Sequence, residues 1–551
     1  RTRPEFENLV GPFLNPIALR CNLSADPTFA EAVARVRATW LDAQANAEVP
    51  FERVVDEVLP RRDLSRTPIY QVGFDLQAGG LATTGTADPA ADLAFQQAWR
   101  VAKTDLTFFV WHRAGGEMTG ALEYATSLFE RSTVAQFATR LEQVITAVTV
   151  NPDLRLSALP GADDRLGAAP APGSTDGTGR AAGVHELIGA RAARCPRAVA
   201  VQAADGRLTY AQLEQRSDDW ARALDRLGVG PGDVVPVLLG RSTDLLAALL
   251  GVWKVGAAYL PLDPAIPAGR LATVLATVLA TAAAPVLVTD DPTRSPAGPS
   301  ILGPQQITAG DGRFPARPAV AEQPAYVIFT SGSTGAPKGV RITHGNLAHY
   351  LTSWAVDRLA AAGTGGAPVF SSIAFDMSVT ALWAPLLCGQ RVLLLPEDLE
   401  LSELGRQLVA AGPFSFVKLT PGQLEVLGDQ LDEADVDALA AVYVVGGEAF
   451  PAELARRWLA VLGPDRLVNE YGPTEITVAD AAHWVAEVGA GARVPIGTAL
   501  PGTTAVLLDE QLRPVADGAV GELFVGGAGV ADGYVGDPAL TAQRFLPAPD
   551  G

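Results

Sequence analysis

Residues 326–340 read YVIFTSGSTGAPKGV. An apolar run, Tyr326 to Phe329, passes directly into a loop of glycine, serine and threonine that ends on Pro337 and Lys338. The apolar run predicts a buried strand. Glycines let backbone N–H groups approach an oxyanion, hydroxyls add donors and a lysine adds charge, so the loop predicts phosphate binding. It is not a Walker A loop, because Gly339 rather than Ser or Thr follows the lysine and the glycine spacing differs. A Gly/Ser/Thr loop alone is more often a solvated linker; the strand before it, Pro337 and the lysine favour the phosphate reading. The lysine carries weight because the chain has four, Lys103, Lys254, Lys338 and Lys418, among 42 basic residues.

Outward from this loop, apolar runs alternate with amphipathic patterns. VVPVLLG (234–240), AYLPLD (258–263), PVLVTD (285–290), RVLLLPE (391–397) and AVYVVGG (441–447) read as strands, and YAQLEQRSDDWARALDRLG (210–228) as a helix. That alternation predicts parallel α/β sheets. FSFVKLTP (414–421) is a further strand with Lys418 in its middle, and a charge in a buried strand costs several kcal/mol unless paired. Residues 492–534 hold short strands between Gly/Pro turns and predict a small antiparallel or barrel-like element.

With 551 residues the chain exceeds one core. The Pro/Gly/Ala/Asp-rich stretch 151–183 predicts a linker between a part at 1–150 and a part at 184–551. A formal charge of −19 argues against nucleic-acid and anionic-membrane partners. Cys21, Cys195 and Cys388 are odd in number and far apart, which suits neither a disulfide framework nor a zinc site. No signal-peptide core opens the chain, and a cytoplasmic location is expected. LATVLATVLATAAAPVLV (271–288) is uncharged, but its threonines at 273, 277 and 281 oppose Leu271, Val274, Leu275 and Val278, so it predicts a soluble amphipathic helix. Both chain ends read as cuts.

TSGSTGAPKG (330–339) closely resembles the phosphate-loop signature of the adenylate-forming superfamily. LTYAQLEQ (208–215), WKVGAAYLPLDP (253–264), FDMSV (375–379), NEYGPTEIT (469–477) and GELFVGGAGVADGY (521–534) resemble its other motifs, in the same order. Their wording is that of amino-acid adenylation domains of nonribosomal peptide synthetases more than of acyl-CoA ligases. VGPFLNPIALR (10–20), VPFERVVDEV (49–58) and RRDLSRTPIYQVGFD (61–75) resemble late condensation-domain motifs, with LEYATSLFERSTVAQF (122–137) near that domain's end. None of the five histidines forms the paired-histidine motif of condensation domains, so that catalytic half is expected upstream; Asn46 sits where the family often has histidine. The resemblance implies the large N-terminal core of an adenylate-forming enzyme, with two parallel or mixed α/β subdomains and a small barrel-like element. An α+β C-terminal lobe of a condensation domain precedes it.

The resemblance also implies roles. Thr330, Ser331, Gly332, Ser333, Thr334, Gly335 and Lys338 line the loop over the ATP triphosphate, and Thr330, Lys338 and Glu475 take part in catalysis. Glu475 binds Mg²⁺, Tyr471 stacks on adenine, Asn469 and the Gly446–Gly447 backbone read its amino edge, and Thr474 belongs to the same ATP site. Asp376 pairs the substrate ammonium, a group that acyl- and aryl-acid ligases do not bind. Phosphopantetheine enters on a carrier domain outside this chain. Asp376, Met377, Thr380, Lys418, Val444, Gly446, Glu470, Val478 and Ala479 form the side-chain pocket.

A group between Lys418 and Glu470 must accept from one and donate to the other, which a carboxamide does. The set resembles the family's asparagine signature; aspartate would oppose its charge to Glu470, and glutamine adds a methylene. A structural Lys418–Glu470 bridge without a role in selection stays open. Asp532 stands where the family usually has arginine, and an extra ATVL lengthens the helix near 275. The family's C-terminal subdomain, with its catalytic lysine, is missing, so the chain alone is expected to adenylate poorly. An acyl- or aryl-acid CoA ligase and a non-catalytic docking platform for carrier domains are the competing readings.

Overall fold

The computed structural model describes residues 15–58, 68–78, 101–112, 118–129, 131–160, 183–279, 286–295, 299–331, 337–489, 491–509, 512–515 and 519–547. The chain divides into two compact units, Arg1–Gly167 with Pro514–Val520, and Ala168–Arg513 with Gly521–Gly551. The expected linker falls largely on 161–182, outside the described residues.

The first unit is α+β. Its strands Val72–Ala78 and Leu106–His112 run parallel, and Met118–Tyr124 pairs antiparallel to the second. Helix Phe29–Ala45 starts on a capping box in which Thr28 and Glu31 satisfy each other's backbone N–H groups. Helices Phe51–Val58 and Arg131–Val150 complete the described part.

The second unit holds the α/β sheets. In one, Gly533–Tyr534, Pro337–Thr343, Pro324–Ser331, Ala258–Pro261, Val234–Leu238, Val286–Thr289 and Ser300–Leu302 lie side by side. Its last five strands are parallel, as the apolar runs predict. In another, Phe414–Leu419, Ala440–Gly446 and Leu467–Tyr471 are parallel, and Ala481–Trp484 and Thr498–Ala499 add antiparallel at one edge. Both faces of this sheet are buried: Phe416, Val442, Val444 and Val468 join the larger core, while Val417, Leu419, Tyr443 and Val445 join a second one. This is why FSFVKL is apolar on both faces.

Helix Tyr210–Arg226 places Glu214 and Asp218 one turn apart, and buried Lys254 donates to both, at 3.0 and 2.7 Å. One of the rare lysines is therefore a core counter-ion. Helix Ala268–Leu279 buries Leu271, Val274 and Leu275 as expected, and among the described residues no helix is long and apolar enough to cross a membrane. The three cysteines are free.

The barrel-like element expected in 492–534 is not found as a closed unit among the described residues. Thr503–Leu508 and Glu522–Gly527 form a two-stranded ladder, while Thr498–Ala499 and Gly533–Tyr534 pair with the edges of the large sheets. Open edges offer unpaired N–H and C=O groups, so each short segment satisfies its backbone there. Gly497, at φ +89°, makes the tight approach possible, since a Cβ would lie 2.0 Å from the Ala482 carbonyl oxygen.

Candidate active site

Strands Pro324–Ser331 and Pro337–Thr343 are antiparallel neighbours, with Thr330 opposite Lys338 and Ser331 opposite Pro337. The two strands that flank the glycine-rich loop are thus hydrogen-bonded to each other. Gly332, Ser333, Thr334 and Gly335 lie outside the described residues. Lys338 Nζ stands 3.8 Å from Glu475 Oε1 and 5.0 Å from the ring centre of Tyr534. The Tyr534 hydroxyl donates to the same Glu475 oxygen at 2.7 Å. Burial and the adjacent carboxylate push that phenol well above its usual range. Two residues 137 positions apart in sequence, Lys338 and Glu475, therefore meet over a tyrosine that was not among the expected site residues. Its signal was present, as the last residue of GELFVGGAGVADGY. The departure at Asp532 has a local cause: its carboxylate pairs with Arg341 at 2.7 Å, across the register Arg341–Gly533.

Tyr471 ends its strand and is 40% exposed. Asn469, next to it, is buried and donates its amide to the carbonyls of Pro495, at 2.8 Å, and Val494, at 3.4 Å. Only its Oδ1 is left to read an amino group. Gly446 permits close packing, because a Cβ there would lie 2.8 Å from the Glu470 carbonyl oxygen. Beside it, Gly447 faces Met377 Sδ.

Asp376 precedes helix Met377–Cys388 without capping it by a side-chain hydrogen bond. Its Oδ2 is buried and has no partner among the described residues. Burial pushes the carboxyl up, opposed by a hydrogen bond with Thr474 and by the charge of Lys418. Phe375, just before Asp376, and Phe329, just before Thr330, line one open cleft.

Parallel pairing puts Lys418 beside Val444 and Gly446 beside Glu470, so all four project on one face of the sheet. Lys418 Nζ lies 2.5 Å from Glu470 Oε2, with side chains 3% and 2% exposed. The pair is closed on itself, and it belongs to a ring. Lys418 also donates to Thr380 Oγ1 at 2.9 Å, Thr380 and the Tyr350 hydroxyl are 2.8 Å apart, and Tyr350 donates to Glu470 Oε1 at 3.1 Å. Trp354 Nε1 donates to that same oxygen at 2.8 Å. Tyr350 and Trp354 were not expected here. They sit in a stretch with no motif wording, and only the tertiary fold brings them 120 and 116 residues along the chain to Glu470. Val478 and Ala479 are buried, with Ala479 against Gly472 of the YGPTE turn.

Residues 188–535 match the family model described as AMP-binding enzyme, and residues 1–165 match that of the condensation domain. The chain belongs to the AMP-binding enzyme family. Its second unit is the AMP-binding part, preceded by a condensation domain, the order of a nonribosomal peptide synthetase. It is 36% identical over 578 residues to isonitrile lipopeptide synthase of Mycobacterium tuberculosis, covering all of this chain and 22% of that protein. It is 35% identical over 580 residues to phosphinothricin tripeptide synthetase of Streptomyces viridochromogenes, covering all of this chain and 50% of that one. The chain thus spans half or less of either relative's length. The crystal structure of a four-domain nonribosomal peptide synthetase bound to AMP and glycine superposes with a TM-score of 0.72 at 26% identity, over all of this chain and 42% of its own.

The AMP-binding unit stores strain next to the site. Thr477 and Val478, both β-branched, have φ of 62° and 72°, a region such residues rarely adopt. Asp480 follows, 2% exposed, with both carboxylate oxygens buried and unpartnered among the described residues. Burial pushes its carboxyl up to about 6. A carboxyl raised on folding adds stability below its unfolded value, and this is lost as pH rises through about 6. Asp480→Asn is therefore expected to stabilise the unit by about 1–3 kcal/mol at pH 8, with the gain shrinking as pH falls below about 6 and vanishing below the ordinary carboxyl value of 3.8. Urea melts across this pH range check it; an equal shift at every pH would refute it.

Proposed function

We propose that the AMP-binding unit joins an amino-acid carboxylate to the α-phosphate of ATP, releasing pyrophosphate, and that the amino acid is asparagine. The observation that carries this reading is Asp376 Oδ2, a carboxylate oxygen buried without a partner among the described residues. A buried anion left in that state costs several kcal/mol, and an α-ammonium group restores its partner.

The side-chain preference follows from the valences of the ring. Lys418 has three N–H donors and spends them on Glu470 Oε2 and Thr380, which leaves one. Glu470 accepts from Tyr350 and Trp354 on Oε1 and from Lys418 on Oε2, which leaves one lone pair on Oε2. One donor and one acceptor therefore stand side by side on a closed ion pair. A carboxamide matches that edge without opening the bridge. An aspartate carboxylate brings a second acceptor against Oε2 and is repelled.

On the nucleotide side, Lys338 and Thr330 flank the loop, Tyr471 offers its ring to adenine, and Asn469 Oδ1 with the Gly446–Gly447 backbone faces its amino edge. Glu475 fits a magnesium ion: Oε2 receives no hydrogen bond among the described residues, and Lys338 marks where phosphate oxygens lie. Among the described residues no group of three or more His, Cys, Asp or Glu is gathered for a metal, which suits an ion held by one carboxylate and the phosphates. When bound, Mg²⁺ neutralises charge on those oxygens. The aminoacyl group then passes from the adenylate to the phosphopantetheine thiol on a peptidyl carrier domain, forming a thioester and releasing AMP.

A panel of amino acids titrated against the chain in the presence of a non-hydrolysable ATP analogue tests this reading. Asparagine is expected to bind at least tenfold tighter than aspartate or glutamine, within what one methylene or one mismatched polar group is worth. Aspartate or glutamine ahead of asparagine would sink the pocket assignment.

A further inference from the structure

We infer that Tyr350 and Trp354 are positioning residues that set side-chain selection by fixing the Glu470 carboxylate; this rests on the amino-acid-activating reading of the pocket. Both lie on one helical element, His344–Tyr350 continued by a π-helical run at Leu351–Leu359. π-turns are rare and concentrate at functional sites. Spaced four apart, the two side chains share a face, and both donate to Glu470 Oε1, at 3.1 and 2.8 Å.

The ring has one consistent direction. Tyr350 has a single O–H, and Glu470 takes it; Thr380 must then donate to the tyrosine oxygen while accepting from Lys418. Every hydroxyl is oriented before a substrate arrives. With Oε1 consumed, Glu470 offers only Oε2 to a ligand, at one place beside the last N–H of Lys418. Without the Trp354 or Tyr350 donor, Oε1 becomes a second acceptor and the carboxylate can turn. The pocket then takes donors at more than one depth.

The test uses Tyr350→Phe and Trp354→Phe, which keep an aromatic ring and delete the donor. Amino-acid affinity is read across the panel in the presence of the ATP analogue, with analogue affinity as the check on folding. Deleting a hydrogen bond to a charged group is expected to weaken the preferred amino acid about tenfold or more. Its lead over the others should narrow, with analogue binding within about twofold. Uniform weakening of all amino acids, or unchanged selectivity, overturns the inference. If Trp354→Phe fails to bind the analogue, Tyr350→Phe, which loses one oxygen atom, decides. A wild-type chain that prefers another amino acid refutes asparagine and leaves that amino acid as the reference. A wild-type chain that binds none overturns both readings.

Discussion

Asp376→Asn is expected to weaken amino-acid binding by at least about thirtyfold, because truncating one partner of a buried charge pair costs about 2–5 kcal/mol. ATP-analogue binding should stay within about twofold, since the nucleotide site is built on other residues. Asparagine at 376 keeps the shape and the hydrogen bond to Thr474 but removes the charge that an ammonium needs. The wild-type carboxyl is already raised by burial, with Oδ2 unpartnered. The neutral variant is therefore expected to fold at least as stably as wild type. Calorimetry with amino acid, together with thermal melts, separates the two effects. A variant that binds amino acid normally would place the ammonium elsewhere and remove the main support for amino-acid activation.

Lys418→Met carries the second large effect. It leaves Glu470 charged in a site where its side chain is 2% exposed, with Tyr350 and Trp354 as its remaining donors. Breaking a buried pair from one side costs about 3–5 kcal/mol. The double variant Lys418→Met with Glu470→Gln should recover most of that stability, because no lone charge is left buried. Asparagine recognition should not return, because the donor to its side-chain oxygen is gone. Urea melts of the two single variants and the double, set beside amino-acid titrations, give the coupling. If the double variant selects asparagine as wild type does, the bridge is structural only.

Much of this molecule was legible in its sequence because local chemistry and tertiary role coincide. The apolar runs at 234–240, 258–263 and 441–447 are strands since both faces of each sheet are buried, so no polar face hides the pattern. The strand that opens at Tyr326 and the buried apolar run after Asp376 could be read from short stretches because each pattern is set by its own neighbouring residues. Within 492–534 the antiparallel alternative is the one the structure takes, in the Thr503–Leu508 and Glu522–Gly527 ladder, and the flanking pairings were not legible because turn residues mark where a chain reverses, but not which sheet edge it then joins.

The sequence by itself determined the two-part division, the α/β class, the strand that runs into the glycine-rich loop before Lys338, and the presence of a lysine and a glutamate among otherwise small or apolar residues. Tertiary structure alone decided that Lys418 and Glu470 close on each other, that Tyr350 and Trp354 hold the far oxygen, and that Tyr534 joins Lys338 to Glu475. The physical reason is hydrogen-bond valence. Residue types state how many donors and acceptors exist; only their positions in the fold show which are spent inside the protein and which remain for a ligand.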